Sequence, residues 1–283
     1  MTLHETLAAA RARLVAAGIA PDEAAVDVDL FARTILGWDR ARLLTERQSP
    51  APPALEPRFS EWIARRAEKE PTAYIVGVRE FFGLEFAVSP SVLVPRPESE
   101  FIVEEALAVL PPDAPARIAD VGTGSGCIGI SLAHERPRAR VVATDISGAA
   151  LAVARGNAAR LGVADRVTCI ETSYLDGVDG PFDAIVSNPP YVKDRDRAFT
   201  QRAVVRYEPH VALFGGEDGL DGVQAVLDAA AVRLAPGGWL VFEFGLGQDT
   251  EVEELVARYP DLRLDHVRAD LQGIPRTAVV RHR

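Results

Sequence analysis

The strongest constraint on the fold lies between Arg117 and Glu135. A short apolar run, Arg117-Ile118-Ala119-Asp120-Val121, meets the turn Gly122-Thr123-Gly124-Ser125-Gly126, and Gly126 to Glu135 carry a helical pattern. Closely spaced glycines let a chain reverse sharply and bring its backbone close to a ligand. The same alternation continues downstream. Strands are predicted at Val141–Asp145, Val167–Ile170, Phe182–Ser187 and Trp239–Phe244. Helices are predicted at Ala149–Leu161, stopped by Gly162, at about Leu220–Leu234, ended by Pro236-Gly237-Gly238, and near Thr250–Arg258. Strands at Leu262–Val267 and Ala278–Arg281 close the chain. Alternating strands and helices predict an α/β fold with a parallel, doubly wound sheet. Ligands of such sheets bind beyond the carboxyl ends of the strands, near the topological switch point.

The front of the chain has a different character. Leu3, Leu7, Ala10, Leu14 and Ala17 recur at helical spacing before Gly18. Pro21-Asp22-Glu23 reads as a helix start, with Gly37 as its stop. A further helix is predicted from about Leu55 to Lys69. This gives a small N-terminal helical domain over residues 1–70. Tyr74–Val78 and Leu84–Val88 look strand-like around Phe81-Phe82-Gly83, which predicts a β-hairpin linker over residues 71–92. The remainder, 93–283, forms the second domain. It opens with the extended segment Val92-Leu93-Val94-Pro95-Arg96-Pro97-Glu98-Ser99-Glu100, leading into a helix to about Leu110.

Composition narrows the function classes. Among 283 residues the formal net charge is −10, which argues against a protein that grips a long stretch of nucleic acid. Cys127 and Cys169 lie in apolar segments and give neither a disulfide framework nor zinc spacing. The start, Met1-Thr2-Leu3-His4-Glu5, lacks the pattern of a signal peptide, and no apolar run is long enough to span a bilayer. A reducing, cytoplasmic compartment is expected, with no membrane and no metal.

Two stretches carry chemistry. The glycine turn sits between strand and helix, and Asp145 ends the next strand, where an acid can accept both ribose hydroxyl hydrogens. Alone, Asp120 could be a turn acid and Asp145 a helix cap; together with the glycines they point to a nucleoside-containing cofactor. The second stretch is Asn188-Pro189-Pro190-Tyr191. Two prolines cannot continue a central strand, so the loop is stiff and presents carbonyl oxygens with few competing donors. Asn188 adds a side-chain oxygen and Tyr191 a flat ring. A planar group bearing an NH2 suits that combination.

The spacing Gly-x-Gly-x-Gly after Asp120 resembles motif I of the class I S-adenosylmethionine methyltransferases rather than a dinucleotide fingerprint, and no Tyr-x-x-x-Lys pair suggests an NAD oxidoreductase. Over nearly its whole length the chain resembles the release factor glutamine methyltransferases, the HemK/PrmC family. The resemblance rests on Tyr74-Ile75-x-Gly77, Phe82-Gly83-Leu84-x-Phe86-x-Val88, Val94–Glu100 and Asp120–Gly126. It extends through Asn188–Tyr191, Tyr207-Glu208-Pro209, Gly215–Leu220, Glu243-x-Gly245-x-x-Gln248 and Asp270-Leu271-x-Gly273-x-x-Arg276.

That resemblance implies a Rossmann-like class I sheet with an antiparallel C-terminal strand. It implies methyl transfer from S-adenosylmethionine, leaving S-adenosylhomocysteine, to the glutamine amide of the Gly-Gly-Gln motif in class 1 peptide release factors. Asn188, Pro189, Pro190 and Tyr191 would be catalytic. Asp120 would face the methionine part of the cofactor. Gly122, Thr123, Gly124, Ser125 and Gly126 would pass beneath its chain, with Asp145 on the ribose and Asn188 also near the cofactor. Ser173 and Tyr174 align with the adenine contacts, although the family usually has an acid where Ser173 stands; Asp176 is an alternative. The N-terminal helices would help dock the release factor, with no direct nucleic-acid binding. The same Asn-Pro-Pro-Tyr also marks adenine-amino methyltransferases and a ribosomal-protein glutamine methyltransferase, and a non-catalytic binding module is the third alternative.

Overall fold

The alternation beginning at Arg117 is realised as a seven-stranded sheet in the protein's structure, a computed structural model that describes residues 1–198 and 202–283. The chain divides into two units, Met1–Gly77 and Val78–Arg283.

The first unit is helical: α1 (Leu3–Ala16), α2 (Pro21–Leu36), α3 (Arg40–Thr45), α4 (Arg58–Ala67) and α5 (Thr72–Val76). Thr2 caps α1 through a reciprocal pair with Glu5, so two otherwise orphaned backbone donors are satisfied. Pro21 opens α2, and Gly37, at φ 63°, closes it in the left-handed conformation. Leu3, Leu7 and Leu14 pack with Val28, Phe31, Phe59 and Trp62 in one core. The Phe31 and Trp62 rings meet edge-on at 5.4 Å. The buried Arg66 guanidinium is paired, donating from Nε to Asp27 at 2.6 Å, and Thr72 donates to the other Asp27 oxygen at 2.8 Å.

The strand expected at Tyr74–Val78 is not formed; α5 occupies most of it, and Gly77 at φ 86° ends the helix. Tyr74 and Ile75 are both buried. Adjacent buried side chains contradict the alternation of a half-exposed strand and fit a helical turn set on a core.

The second unit starts with the hairpin β1 (Val78–Phe81) and β2 (Leu84–Ala87). Its turn residues Phe82 and Gly83 have φ 51° and 71°, the conformation of a tight two-residue hairpin turn. Then follow α6 (Glu100–Val109), β3 (Ala116–Val121), α7 (Cys127–Glu135), β4 (Ala139–Asp145), α8 (Gly148–Arg160), β5 (Val167–Glu171), β6 (Phe182–Ser187), α9 (Arg202–Tyr207) and α10 (Asp221–Arg233). The chain ends with β7 (Leu234–Glu243), α11 (Asp249–Val256), β8 (Leu262–Ala269) and β9 (Pro275–His282).

The strand order is β5-β4-β3-β6-β7-β9-β8, parallel from β5 to β7, with β9 antiparallel to both β7 and β8. The fifth of the predicted strands begins earlier than Trp239. Leu234 already pairs with Phe182, and the register shifts across Pro236-Gly237-Gly238 before Trp239 meets Ala184. Both sheet faces are covered. Val186 and Ala184 join one core with Ile118 and Ile130, while Ile185 joins the other with Val226, Leu227 and Phe242. Strands buried on both faces read as continuous apolar runs, which is how Phe182–Ser187 looks in sequence.

From β3 the chain runs outward through β4 to β5, then returns to the other side of β3 as β6. The switch point lies between β3 and β6, whose last residues, Val121 and Ser187, are paired. The Ser187 hydroxyl donates to the Val121 carbonyl at 2.9 Å. The glycine turn and the Asn188 loop therefore leave the sheet side by side.

Candidate active site

A cavity of about 230 Å³ opens at this switch point. Gly122, Thr123, Gly124 and Ser125 form one wall, with Asp145 from β4 and Ser173 and Tyr174 from the loop after β5. Asn188, Pro189 and Pro190 form the facing part, with Leu93, Ser99 and Val211 also at its walls. Asp120, Gly126 and Tyr191 are not among the residues of its walls.

The glycine turn is held from below. Gly122, Gly124 and Gly126 all have positive φ, between 55° and 83°, where a side chain is strained. Asp120 is 1% exposed. Its Oδ2 accepts from the Thr123 hydroxyl at 2.5 Å and from the Gly129 N–H at 2.9 Å. One carboxylate thus ties the turn to the first residues of α7. A Cβ on Gly129 would lie 2.7 Å from that oxygen, so the helix approaches this closely only because residue 129 is glycine. Burial raises the Asp120 carboxyl to about 6, opposed by those two hydrogen bonds.

Asp145 faces the cavity from the end of β4. Its Oδ2 accepts from the Gly124 N–H and its Oδ1 from the Ser147 N–H, both at 2.9 Å. Each carboxylate oxygen keeps a further lone pair, so two hydroxyls can still be accepted. Tyr174 has φ 48°, unusual for a non-glycine residue, and burial raises its phenol above the ordinary range. Asp176, the alternative to Ser173, is not in the wall.

The Asn188 side chain is fixed by a network that sequence reading did not find. Its Nδ2 donates to the Ser99 hydroxyl oxygen at 2.8 Å. Ser99 in turn donates to Glu243 Oε2 at 2.6 Å, and the Tyr191 hydroxyl donates to Glu243 Oε1 at 2.8 Å. Tyr191 therefore has its hydroxyl anchored on Glu243, which is 2% exposed. The register explains the meeting: Ser187 pairs with Phe242, so the residues that follow, Asn188 and Glu243, leave adjacent strands together. The available signal was an acid at the end of the strand next to β6.

The backbone of the same loop is packed against glycines. A Cβ on Gly215 would lie 2.3 Å from the Pro190 carbonyl oxygen, and one on Gly219 would lie 2.3 Å from that of Tyr191. Gln248 completes the clamp. Its Nε2 donates to the Tyr191 carbonyl at 3.2 Å, and its Oε1 accepts from the Gly245 N–H at 2.7 Å. The stretches Gly215–Leu220 and Glu243–Gln248 thus support the Asn188 loop. Arg96, between its two prolines, pairs with the buried carboxylate of Glu208 at 2.7 Å.

Among the described residues, no group of three or more His, Cys, Asp or Glu stands together as a metal site, and no helix is long and apolar enough to cross a membrane.

Comparison with known proteins agrees with this architecture. Residues 5–77 match the PrmC N-terminal domain and residues 102–212 the Methyltransferase small domain. A release factor glutamine methyltransferase of Bradyrhizobium diazoefficiens is 43% identical over 270 residues, 92% of this chain and 89% of its own. One of Moorella thermoacetica is 43% identical over 278 residues, 96% of each chain. A methyltransferase from Pyrococcus furiosus has the same fold, with a TM-score of 0.54 at 20% identity over 78% of this chain and 98% of its own. With relatives so similar over both units, the chain belongs to the release factor glutamine methyltransferase family.

Proposed function

We propose that the protein methylates the side-chain amide nitrogen of the glutamine in the Gly-Gly-Gln motif of class 1 peptide release factors, in the cytoplasm. One observation carries the reading: the Asn188 amide has its NH2 engaged by Ser99 inside the protein, which leaves its oxygen for a guest. The chemistry of the donor set around the cavity fits S-adenosylmethionine, which supplies an activated, electrophilic methyl group when bound. Asp145 would hold the ribose hydroxyls with its remaining lone pairs, beside the Gly122–Ser125 turn. Ser173 and Tyr174 would contact the adenine; a serine hydroxyl replaces a charge there. Asp120 braces the turn through Oδ2 and would face the methionine part of the cofactor with its other oxygen, and Gly126 serves the packing of the turn.

An amide nitrogen is a poor nucleophile because its lone pair is delocalised. The protein's contribution is then geometry and the placement of acceptors. The Asn188 oxygen and the Pro189 carbonyl accept the two amide hydrogens of the substrate and stabilise positive charge developing on the nitrogen. Pro190 keeps the loop rigid, and Tyr191, outside the cavity wall, holds the loop in place through its hydroxyl on Glu243. No metal enters this scheme, and the proton released after transfer goes to water. The N-terminal helices help dock the release factor; nucleic acid is not contacted.

The experiment is a side-by-side methyl assay with labelled S-adenosylmethionine and a release factor, a ribosomal protein or DNA. Label on the Gly-Gly-Gln glutamine, located by mass spectrometry, is the expected result. Label on DNA adenine or on the ribosomal protein, with none on the release factor, overturns it.

A further inference from the structure

We infer that Glu243, acting through Ser99, sets which way the Asn188 amide points, and is therefore a positioning residue for methyl transfer. The inference deepens the proposed function and rests on its assignment of the Asn188 oxygen to the substrate amide.

The argument is one of donors and acceptors. An ionised carboxylate only accepts. Glu243 receives a hydrogen at each oxygen, from Ser99 at 2.6 Å and from Tyr191 at 2.8 Å. A serine hydroxyl has a single proton, and that of Ser99 is committed to Glu243. Toward Asn188 the Ser99 oxygen can therefore only accept. Of the two ends of an asparagine amide, only the NH2 can donate, so Nδ2 faces Ser99 and Oδ1 faces away. Flipping the amide would set two acceptors against each other at 2.8 Å, within a site that excludes most water. Ser99 is 2% exposed and Glu243 equally so. Such contacts are costly when left unsatisfied.

The three residues come from separate parts of the chain: Ser99 from the turn that opens α6, Asn188 from beyond β6, and Glu243 from the end of β7. The same carboxylate also fastens the Tyr191 hydroxyl, so one buried charge orients both polar side chains of the loop. Burial raises the Glu243 carboxyl above its ordinary range; the two hydroxyls it accepts from hold it down, as does Arg276, while Glu98 pushes it up.

A merely structural clamp between α6 and β7 would affect stability and cofactor binding alongside turnover. An orienting relay affects turnover alone. The test uses the full chain with Ser99→Ala, Ser99→Thr and Glu243→Leu, which removes both acceptor oxygens. Calorimetry gives S-adenosylmethionine affinity, steady-state kinetics on a release factor give kcat and KM, and NMR gives hydrogen exchange of the Asn188 side-chain NH2. Ser99→Ala and Glu243→Leu should each lower kcat about 10- to 100-fold, the range for misplaced catalytic groups, with cofactor affinity held within about twofold. Ser99→Thr, which keeps a hydroxyl, should recover most of the loss. The Ala and Leu changes should not add when combined, because they break one chain of bonds. Exchange at the Asn188 NH2 should be slow in the parent protein and faster in both variants.

Unchanged kcat in folded Ser99→Ala, or a loss shared equally by Ser99→Thr, overturns the relay. So does unchanged Asn188 exchange. If the parent protein transfers no methyl to a release factor, the substrate reading fails by itself, while the exchange measurement still decides the relay.

Discussion

The two sides of the cavity are built on opposite plans. On the β3–β4 side, the polar groups are backbone amides and carboxylates joined over short distances: Asp120 to Thr123 and Gly129, Asp145 to Gly124 and Ser147. On the β6–β7 side, one side chain depends on residues remote in sequence; Ser99 lies 89 positions from Asn188 and 144 from Glu243. The first side is a local fold of the chain that presents a shape to a ligand. The second exists only after the sheet has assembled. A binding function survives small adjustments of a local turn, whereas reaction geometry needs a side chain held in one orientation.

The largest expected effect comes from breaking the remote side at its reacting end. Asn188→Ala removes the acceptor assigned to the substrate amide and should lower kcat about 100- to 1,000-fold, the magnitude of removing one preorganised catalytic hydrogen-bond partner. S-Adenosylmethionine affinity should stay close to that of the parent protein, because Asp145 and the glycine turn are untouched. Single-turnover kinetics and calorimetry measure the two quantities separately. Near-normal turnover would remove Asn188 from its proposed role.

Asp145→Ala tests the opposite side. It deletes a carboxylate that braces two backbone N–H groups and is assigned two ribose hydroxyls. Hydrogen bonds to charged groups are individually worth about 1.5–3 kcal/mol, so affinity for S-adenosylmethionine should fall about 10- to 100-fold. With saturating cofactor, kcat should recover most of its value. Unchanged affinity would sink the ribose assignment, and an unrecovered kcat would show that the two sides are not separable.

The same contrast explains what was legible in the sequence. The glycine turn and Asp145 announce themselves because their partners are within about 20 positions and the residue types are restricted by backbone geometry. Asn188-Pro189-Pro190-Tyr191 is visible because two prolines can only end a strand. Ser99 and Glu243 each lie in a family-like motif, but nothing in their spacing links them; their meeting depends on the β6–β7 register and on how α6 lies over it. Asp120 shows the converse. Its position in the motif suggests a contact with the methionine part of the cofactor, and its Oδ2 also braces the turn and α7, a role that spacing does not announce. The misread strand at Tyr74–Val78 has the same root. A five-residue apolar stretch has no resolvable period, and burial against the helical core decided its form.

The smallest expected effect sharpens the comparison from beneath the turn. Asp120 is buried, and burial raises its carboxyl to about 6, with nearby Asp145 adding to the rise. An unfolded aspartate titrates near 3.9. Between about pH 4 and 6 the folded protein therefore holds a proton that the unfolded chain releases. Stability from this group is present below about pH 4 and is lost as pH rises through about 6. Asp120→Asn keeps a carbonyl oxygen that can accept from Thr123 and Gly129, but it carries no charge to bury. Relative to the parent protein, the variant should gain stability across that window, by on the order of 1–3 kcal/mol, and the difference should level off above about pH 7. Urea midpoints for the two proteins from pH 4.5 to about 7.5 measure it. If the difference is independent of pH, the carboxylate is ionised at little cost. Its pair of hydrogen bonds, rather than its burial, would then govern the turn on which the Asp145 side is built.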